Sequence, residues 1–576
     1  MSHGLQISVG QCSDKGDKEI NQDFHGVLVP GEPLLSSKGI AVVLADGISS
    51  SDVSQEASES TVKTFLTDYY CTSESWSVKT SAQRVIAAIN SWLHAQTRRS
   101  DYRYEKDRGY VCTLSAMIIK GTTAHLFHVG DSRIYRLAGK ALEQLTNDHR
   151  VAISSQQNYL SRALGINADI EIDYQALQID NGDVFVLATD GAHEHASGRF
   201  IADAIRRSGD DLDGAAGAIV AEALRRGSQD NLTVQIVRID KVPASRADDV
   251  FGNVAELPLP PLLEARMLFD GYRIIRELHG SSRSHIYLAA GVENDELVAL
   301  KIPSIDLRDD PLYLKRFMME EWVARRIDSP NVLKPCSQRR RNYLYVATEF
   351  IDGQTLTQWM IDHPKPDLET VRRIVEQIAK GLRAFHRKEM LHQDLRPDNI
   401  MIDRTGTAKI IDFGSTRIAG VVEAGPPACD SEILGTLQYA APEYFLGETG
   451  TPRSDLFSLG VIAYQMLTGR LPYGAQVAKA RSRSQIGRLR YRSALDGHPE
   501  IPAWIDGALR RAVHPDPHKR YDSLSEFTFD LRHANAKYAS APALIERNPL
   551  LFWKISTAIL ACAVVVLLAL LHGARH

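Results

Sequence analysis

Two sets of residues suited to phosphoryl-transfer chemistry follow one another along this chain. The first is a string of aspartates, Asp23, Asp46, Asp131, Asp190 and Asp230, each in a short turn-like motif close to an apolar, strand-like run. Asp46 stands directly after Ile40–Ala45 and is followed by Gly47, whose carbonyl can approach a cation because no side chain intervenes. Oxygen donors without accompanying Cys or His suit a hard ion, Mg²⁺ or Mn²⁺, rather than zinc. The second set is Lys301, Glu320, Asp394, Asn399 and Asp412. It offers a lysine for phosphate oxygens with a carboxylate to aim it, an aspartate to take a hydroxyl proton, and an amide and a carboxylate for Mg²⁺. The first set is equipped to remove phosphate and the second to add it.

Elements must position both sets. Residues 1 to about 240 mix short β runs (Ile40–Ala45, Ala124–Val129, Val184–Thr189) with amphipathic helical patterns such as Ala82–Arg98. Around Lys241 the pattern fades, and Pro258, Pro260 and Pro261 predict a stiff, extended connector over 241–268. A second domain is expected over 269–535, strands first and long helices after Leu356, then a charged linker over 536–549. From Leu550 to Leu571 only Lys554 interrupts an apolar run, long enough for a transmembrane helix of about 20 residues with Lys554 snorkelling and Phe552 and Trp553 at the interface. This predicts a single-pass tail anchor in the inner (cytoplasmic) membrane, with the catalytic domains facing the cytoplasm.

At 576 residues the chain exceeds one hydrophobic core. With 67 basic and 71 acidic residues interspersed, no field argues for nucleic acid. The six cysteines lack C-x-x-C pairs, which argues against both a zinc knuckle and a disulfide framework. No secretory signal opens the sequence.

Taken in order, N-Q-D, A-D-G, G-D-S-R, T-D-G and D-N-L-T, with L-T-N-D-H and L-S-R-A-L-G between, the first half resembles the metal-dependent PPM family of serine/threonine phosphatases. The resemblance implies a β-sandwich flanked by helices with a metal site between the sheets. It further implies that Asp46 bridges two ions, the Gly47 carbonyl binds one of them, and Asp190 and Asp230 hold the other. Asp23 would act through water, and Asp131 could support a third ion. Lys18 stands where that family usually has a phosphate-binding arginine, a point charge in place of a two-pronged donor.

V-A-L-K, L-H-Q-D-L-R-P-D-N-I, I-I-D-F-G and Y-A-A-P-E, in that order, resemble the eukaryotic-like serine/threonine protein kinases. The resemblance implies a bilobal kinase fold binding ATP and Mg²⁺. The catalytic residues would be Asp394, Lys301, Glu320 (Glu321 being the neighbouring candidate) and Arg396, the last favouring Ser/Thr over Tyr. Nucleotide would meet His279, Gly280, Ser281, Ile286, Ala299 and Lys301, with Asn399 and Asp412 on the metal. His279, Ser281 and Ser284 stand where three glycines normally cover the phosphates, and Gln393 replaces the arginine before the catalytic aspartate. The expected whole is a multidomain α+β protein resembling bacterial fusions of a phosphatase to a kinase. Its partners would be proteins with Ser/Thr phosphosites, Ser415, Thr416, Ser431 and Thr436 of its own activation loop among the candidates, and the kinase domain could self-associate. The alternative is an active phosphatase regulated by a nucleotide-binding pseudokinase module.

Overall fold

The computed structural model describes all residues except 1–3, 140, 155–156, 244–256, 282–283, 305–309, 337–340, 420–437, 481, 499, 536–548 and 574–576. The chain divides into two compact units, one over residues 1–252 and the other built from most of 253–576.

The first unit is a sandwich of two antiparallel five-stranded sheets. In one, Gln6–Asp14, Leu232–Lys241, Val184–Ala188, Arg133–Ala138 and Ala141–Gln144 lie side by side. In the other the order is Asp173–Gln178, Thr123–Val129, Leu114–Lys120, Ile40–Ala45 and Phe24–Leu28. Central strands bury both faces, so Ile40–Ala45 and Val184–Ala188 are apolar throughout instead of alternating. Val42, Leu44, Met117 and Ile119 meet Ile134, Phe185, Leu187 and Val237 between the sheets. Each outer face is covered by helices. Phe65 and Ile86, from Ser54–Cys71 and Val78–Arg99, pack on the second sheet, and Ile201 and Ile219, from Gly198–Ser208 and Leu212–Arg225, on the first.

The second unit opens with a five-stranded antiparallel sheet, Leu268–Phe269, Tyr272–Gly280, Ser284–Gly291, Leu297–Pro303 and Val346–Glu349, with helix Pro311–Arg326 between the last two in sequence. Long helices follow, Leu368–His386 and Pro452–Thr468 among them. Part of the expected connector belongs to this unit. Leu257 and Leu259 pack against Phe317 of helix Pro311–Arg326 and against Leu344 and Val346, the Pro258 carbonyl accepts from Leu344 N–H at 2.9 Å, and Leu263 is buried in the sheet core. The rest of the connector (244–256) and most of the charged linker (536–548) lie outside the described residues.

The expected transmembrane helix is not supported. Helix Pro549–Gly573 does form, yet among the described residues no helix is long and apolar enough to cross a membrane. The tail anchor and the membrane partner inferred from that run lose their support with it.

Leu263 is 4% exposed, so Leu263→Ala should cost the second unit about 2–5 kcal/mol. Calorimetry of the full chain should show one unfolding transition moved down and the transition of the first unit unchanged.

Candidate functional sites

In the first unit, strand ends and the turns after them bring the aspartates together. Asp46 leaves strand Ile40–Ala45, its N–H donating to Thr113 Oγ1 at 3.0 Å and its carbonyl accepting from Thr113 N–H at 2.8 Å. Gly47 is fixed by donation to the Gln22 carbonyl at 3.2 Å, and a Cβ there would lie 2.9 Å from the carbonyl oxygens of Gln22 and Ser54, so no side chain fits. Carboxylate oxygens of Asp46, Asp131 and Asp190 lie within 4.8 Å of one another.

Such crowding out of water penalises ionisation. Burial, then the charges of Asp23, Asp190 and Asp131, push Asp46 well above the carboxylate range. Burial pushes Asp190 up to about 7, with Asp131 and Asp230 adding to it, and Asp23 up to about 6. Asp23 Oδ2 accepts from Thr189 at 3.0 Å and Thr233 at 2.7 Å, while Oδ1 is buried with no hydrogen-bond partner. An oxygen-only donor set, an orphaned carboxylate oxygen and mutually repelling charges fit divalent cations.

Asp230 stands at the rim, 3.4 Å from Lys18 Nζ, which also donates to Ser49 Oγ at 3.0 Å. Three residues that sequence reasoning passed over help to build the site. Asn231 accepts from Gln22 N–H at 2.8 Å and donates to the Lys15 and Ile20 carbonyls, pinning the loop that carries Lys18. Arg150 and Glu194 join Asp131 and Asp190 in a cluster of ion pairs. Asn231 follows Asp230 directly within the D-N-L-T motif, so its proximity to the site was visible; nothing in the sequence brings Arg150 there.

In the second unit Lys301 pairs with Glu320 at 2.5 Å. Glu321 faces elsewhere, to Arg325 and to Arg341 at 2.7 Å. Burial opposes the charge on Lys301, but Glu320 and Asp412 outweigh it and hold the ammonium protonated well above its ordinary range. Ile286 is the cross-strand partner of Lys301, and Ala299 lies two residues before it, so the three share one face of the sheet. The hairpin above is closed by side chains: Ser281 Oγ accepts from Ser284 N–H and donates to the Ser284 carbonyl, both at 3.1 Å, and His279 pairs with Ile286 in the ladder. A Cβ on Gly280 would lie 2.4 Å from Glu277 Oε1.

Asp394 lies beside Asn399, whose Nδ2 donates to its carbonyl at 2.9 Å and its Oδ2 at 3.2 Å. Arg396 Nε stands 3.9 Å from the same Oδ2. Burial pushes Asp394 up to about 6, against the pull of Arg396. Burial also acts to raise Asp412, yet Lys301 and the Gly414 N–H, which donates at 3.1 Å, hold it below the usual range. The turn before Asp394 puts Gln393 at φ +66°, a left-handed conformation uncommon outside glycine. Asp455, buried in helix Pro452–Thr468, sustains it by accepting from the N–H groups of Gln393 and His392, each at 3.0 Å, and by pairing with His386. Asp455 sits within the S-D-L-F-S-L-G motif, but its role needs a contact across more than 60 residues, which the sequence does not announce. Glu443 and Arg520 form a salt bridge, two bonds of 2.8 and 2.7 Å, with both residues buried. Of the candidate phosphosites, Ser431 and Thr436 lie outside the described residues.

Both assignments can now be set against known proteins. A protein phosphatase 2C family model matches residues 13–225, and a protein kinase domain model matches residues 272–528. The chain carries one domain of each family. Among relatives of the kinase domain, the serine/threonine-protein kinase PrkC of Bacillus subtilis is 28% identical over 278 residues, 47% of this chain and 42% of that protein. Serine/threonine-protein kinase Pkn1 of Myxococcus xanthus is 32% identical over 312 residues, 52% of this chain and 44% of that protein. The chain spans about half the length of the curated relatives it matches first. The phosphatase domain is similar to the serine/threonine phosphatase PstP/Ppp of Mycobacterium tuberculosis, at 22% identity over 41% of this chain and 100% of that one, with a TM-score of 0.35.

Two pH dependences follow. For Asp23 and Asp190 the folded pKa lies above the unfolded value of about 3.9. Below that value both states are protonated; above it the unfolded chain releases protons first, so stability falls as pH rises from about 4 to 7. Metal-stripped protein should therefore show a phosphatase-unit melting temperature that declines across that window, and added Mn²⁺ should reverse the decline at pH 7. In the kinase domain, a proton-accepting Asp394 must be ionised, so kcat/KM should fall with unit slope below about pH 6.

Proposed function

We propose that this protein is a bifunctional signalling enzyme, removing phosphate from phosphoserine and phosphothreonine in proteins and transferring the γ-phosphate of ATP to serine or threonine, its own kinase domain included. What carries the reading is that one chain holds two sets of charges with opposite tasks. One is a nest of aspartates whose charge demands divalent cations, and the other a lysine and carboxylates arranged for ATP and Mg²⁺.

In the phosphatase domain Asp46, the Gly47 carbonyl, Asp190 and Asp230 would hold two divalent ions, with Asp23 behind them. Bound there, Mn²⁺ or Mg²⁺ supplies an activated water and neutralises the phosphate. The chain's own part is to keep these oxygens converged through Thr113, Gln22 and Asn231. Lys18, on the loop that Asn231 pins, offers a point charge to substrate phosphate.

In the kinase domain Lys301, aimed by Glu320, positions the α- and β-phosphates, and Asp412 and Asn399 would hold Mg²⁺. Asp394 takes the proton from the substrate hydroxyl, and Arg396 beside it balances the charge. The serine-closed hairpin favours a second reading, a nucleotide-binding module without transfer activity. Nucleotide binding with no phosphate incorporation at high ATP and Mn²⁺ would establish that alternative.

The test uses the full chain with radiolabelled ATP. Asp394→Asn should lower autophosphorylation about 10²–10⁴-fold while leaving hydrolysis of a phosphopeptide intact. Asp46→Ala should abolish that hydrolysis and accumulate more phosphate on the chain than wild type. Undiminished incorporation in Asp412→Ala would sink the kinase assignment, and equal phosphate levels in Asp46→Ala and wild type would sink self-reversal.

A further inference from the structure

Arg150 is a central element of the phosphatase site that neither the sequence motifs nor the proposed chemistry uses. It opens strand Arg150–Ser154, which forms a hairpin with Gln157–Leu160. Its side chain reaches three carboxylates at once. Nε donates to Asp131 Oδ2 at 2.5 Å, Nη2 donates to Asp190 Oδ2 at 2.8 Å, and Nη1 donates to Glu194 Oε1. The three acceptors come from two segments far apart in sequence. Asp131 follows strand Thr123–Val129, whereas Asp190 opens the short helix after strand Val184–Ala188 and Glu194 follows it.

A guanidinium is planar, permanently charged, and presents donors in fixed divergent directions. Here each of its three nitrogens meets a different carboxylate. Bonds between a guanidinium and carboxylates are of the strong, charge-assisted kind. The arrangement is enclosed, with only 22% of the Arg150 side chain and 7% of Asp131 exposed. A third divalent ion beside Asp131 would compete for Asp131 Oδ2 and Asp190 Oδ2, and both of these oxygens are already engaged by Arg150. The donors for two ions stay outside this cluster: both oxygens of Asp46, the Gly47 carbonyl, Asp230 and the second oxygen of Asp190, which meets only its neighbour's N–H, that of Gly191, at 2.7 Å.

We infer that Arg150 is a built-in cation standing in for a third metal ion, so that the phosphatase domain takes two divalent ions and neutralises its remaining carboxylates with a residue of its own. The inference rests on the two-metal reading of that domain. A tethered charge is present at any free metal concentration, so Asp131 and Asp190 stay anchored even when divalent ions are scarce.

Counting bound ions tests it. The full chain, without nucleotide and in an Asp412→Ala background that removes the kinase ligand, is dialysed against Mn²⁺, and bound ions are counted by electron paramagnetic resonance of the free ion. Two ions are expected for this parent, and three for Arg150→Ala and for Arg150→Gln, with the third lost again when Asp131→Ala is added. A parent that already binds three ions, or Arg150 variants that still bind two, overturns the inference; the parent count decides even if a variant fails to fold. Asp46→Ala separates the two levels. If it binds as many ions as the parent, the two-metal reading itself fails, whatever Arg150 does.

Discussion

A carboxylate taken out of water must be given a counter-charge or a proton, and both units are organised around that constraint. In the phosphatase domain three close aspartates, with Asp23 behind and Asp230 at the rim, raise one another's proton affinity, so that protons or cations must share the site. In the kinase domain the same cost is met by a cation from the chain: Lys301 lies between Glu320 and Asp412, and its charge keeps Asp412 ionised. Away from nucleotide, Glu443 and Arg520 repeat the solution as an enclosed pair, and Asp455 satisfies its charge with backbone N–H groups and His386.

Rigid elements make such arrangements sustainable. Asp46 and Asp190 leave central strands whose two faces are buried, so their positions are fixed by the packing of Val42, Leu44, Phe185 and Leu187 between the sheets. The catalytic turn of the kinase is held differently. Gln393 occupies a left-handed conformation that a glutamine does not favour, and Asp455 from another helix compensates. Positioning of the Lys301 and Glu320 pair extends further than the kinase motifs, because helix Pro311–Arg326 also packs against Leu257 and Leu259.

Much of this was legible in the sequence, and for a definite reason. Aspartates followed by glycine at strand ends, and the ordered V-A-L-K, H-Q-D and D-F-G segments, are local patterns whose chemistry does not depend on knowing the fold. What escaped was non-local. Arg150 is 19 residues from Asp131 and 40 from Asp190, and no periodicity predicts their meeting. Glu320 was the first choice over its neighbour Glu321, and the orientation of the helix bears it out, since adjacent residues on a helix point in different directions and Glu320 is the one that faces Lys301. The apolar tail misled because a run of apolar residues in sequence is not by itself a spanning helix: among the described residues no helix is long and apolar enough to cross a membrane.

By itself the sequence determined which chemistry each half is equipped for, since that follows from residue type and from short motifs whose members are covalent near-neighbours. It also pointed to two domains, because two separate sets of motifs flank a stretch after Lys241 where apolar patterning lapses. Tertiary structure alone decided the pairings that no motif carries: that Arg150 serves Asp131 and Asp190, that Glu321 turns to Arg325 and Arg341, that Asp455 holds the catalytic turn. Most of these pairings are made across tens of residues, and their strength depends on burial, which no residue carries until the chain has folded around it.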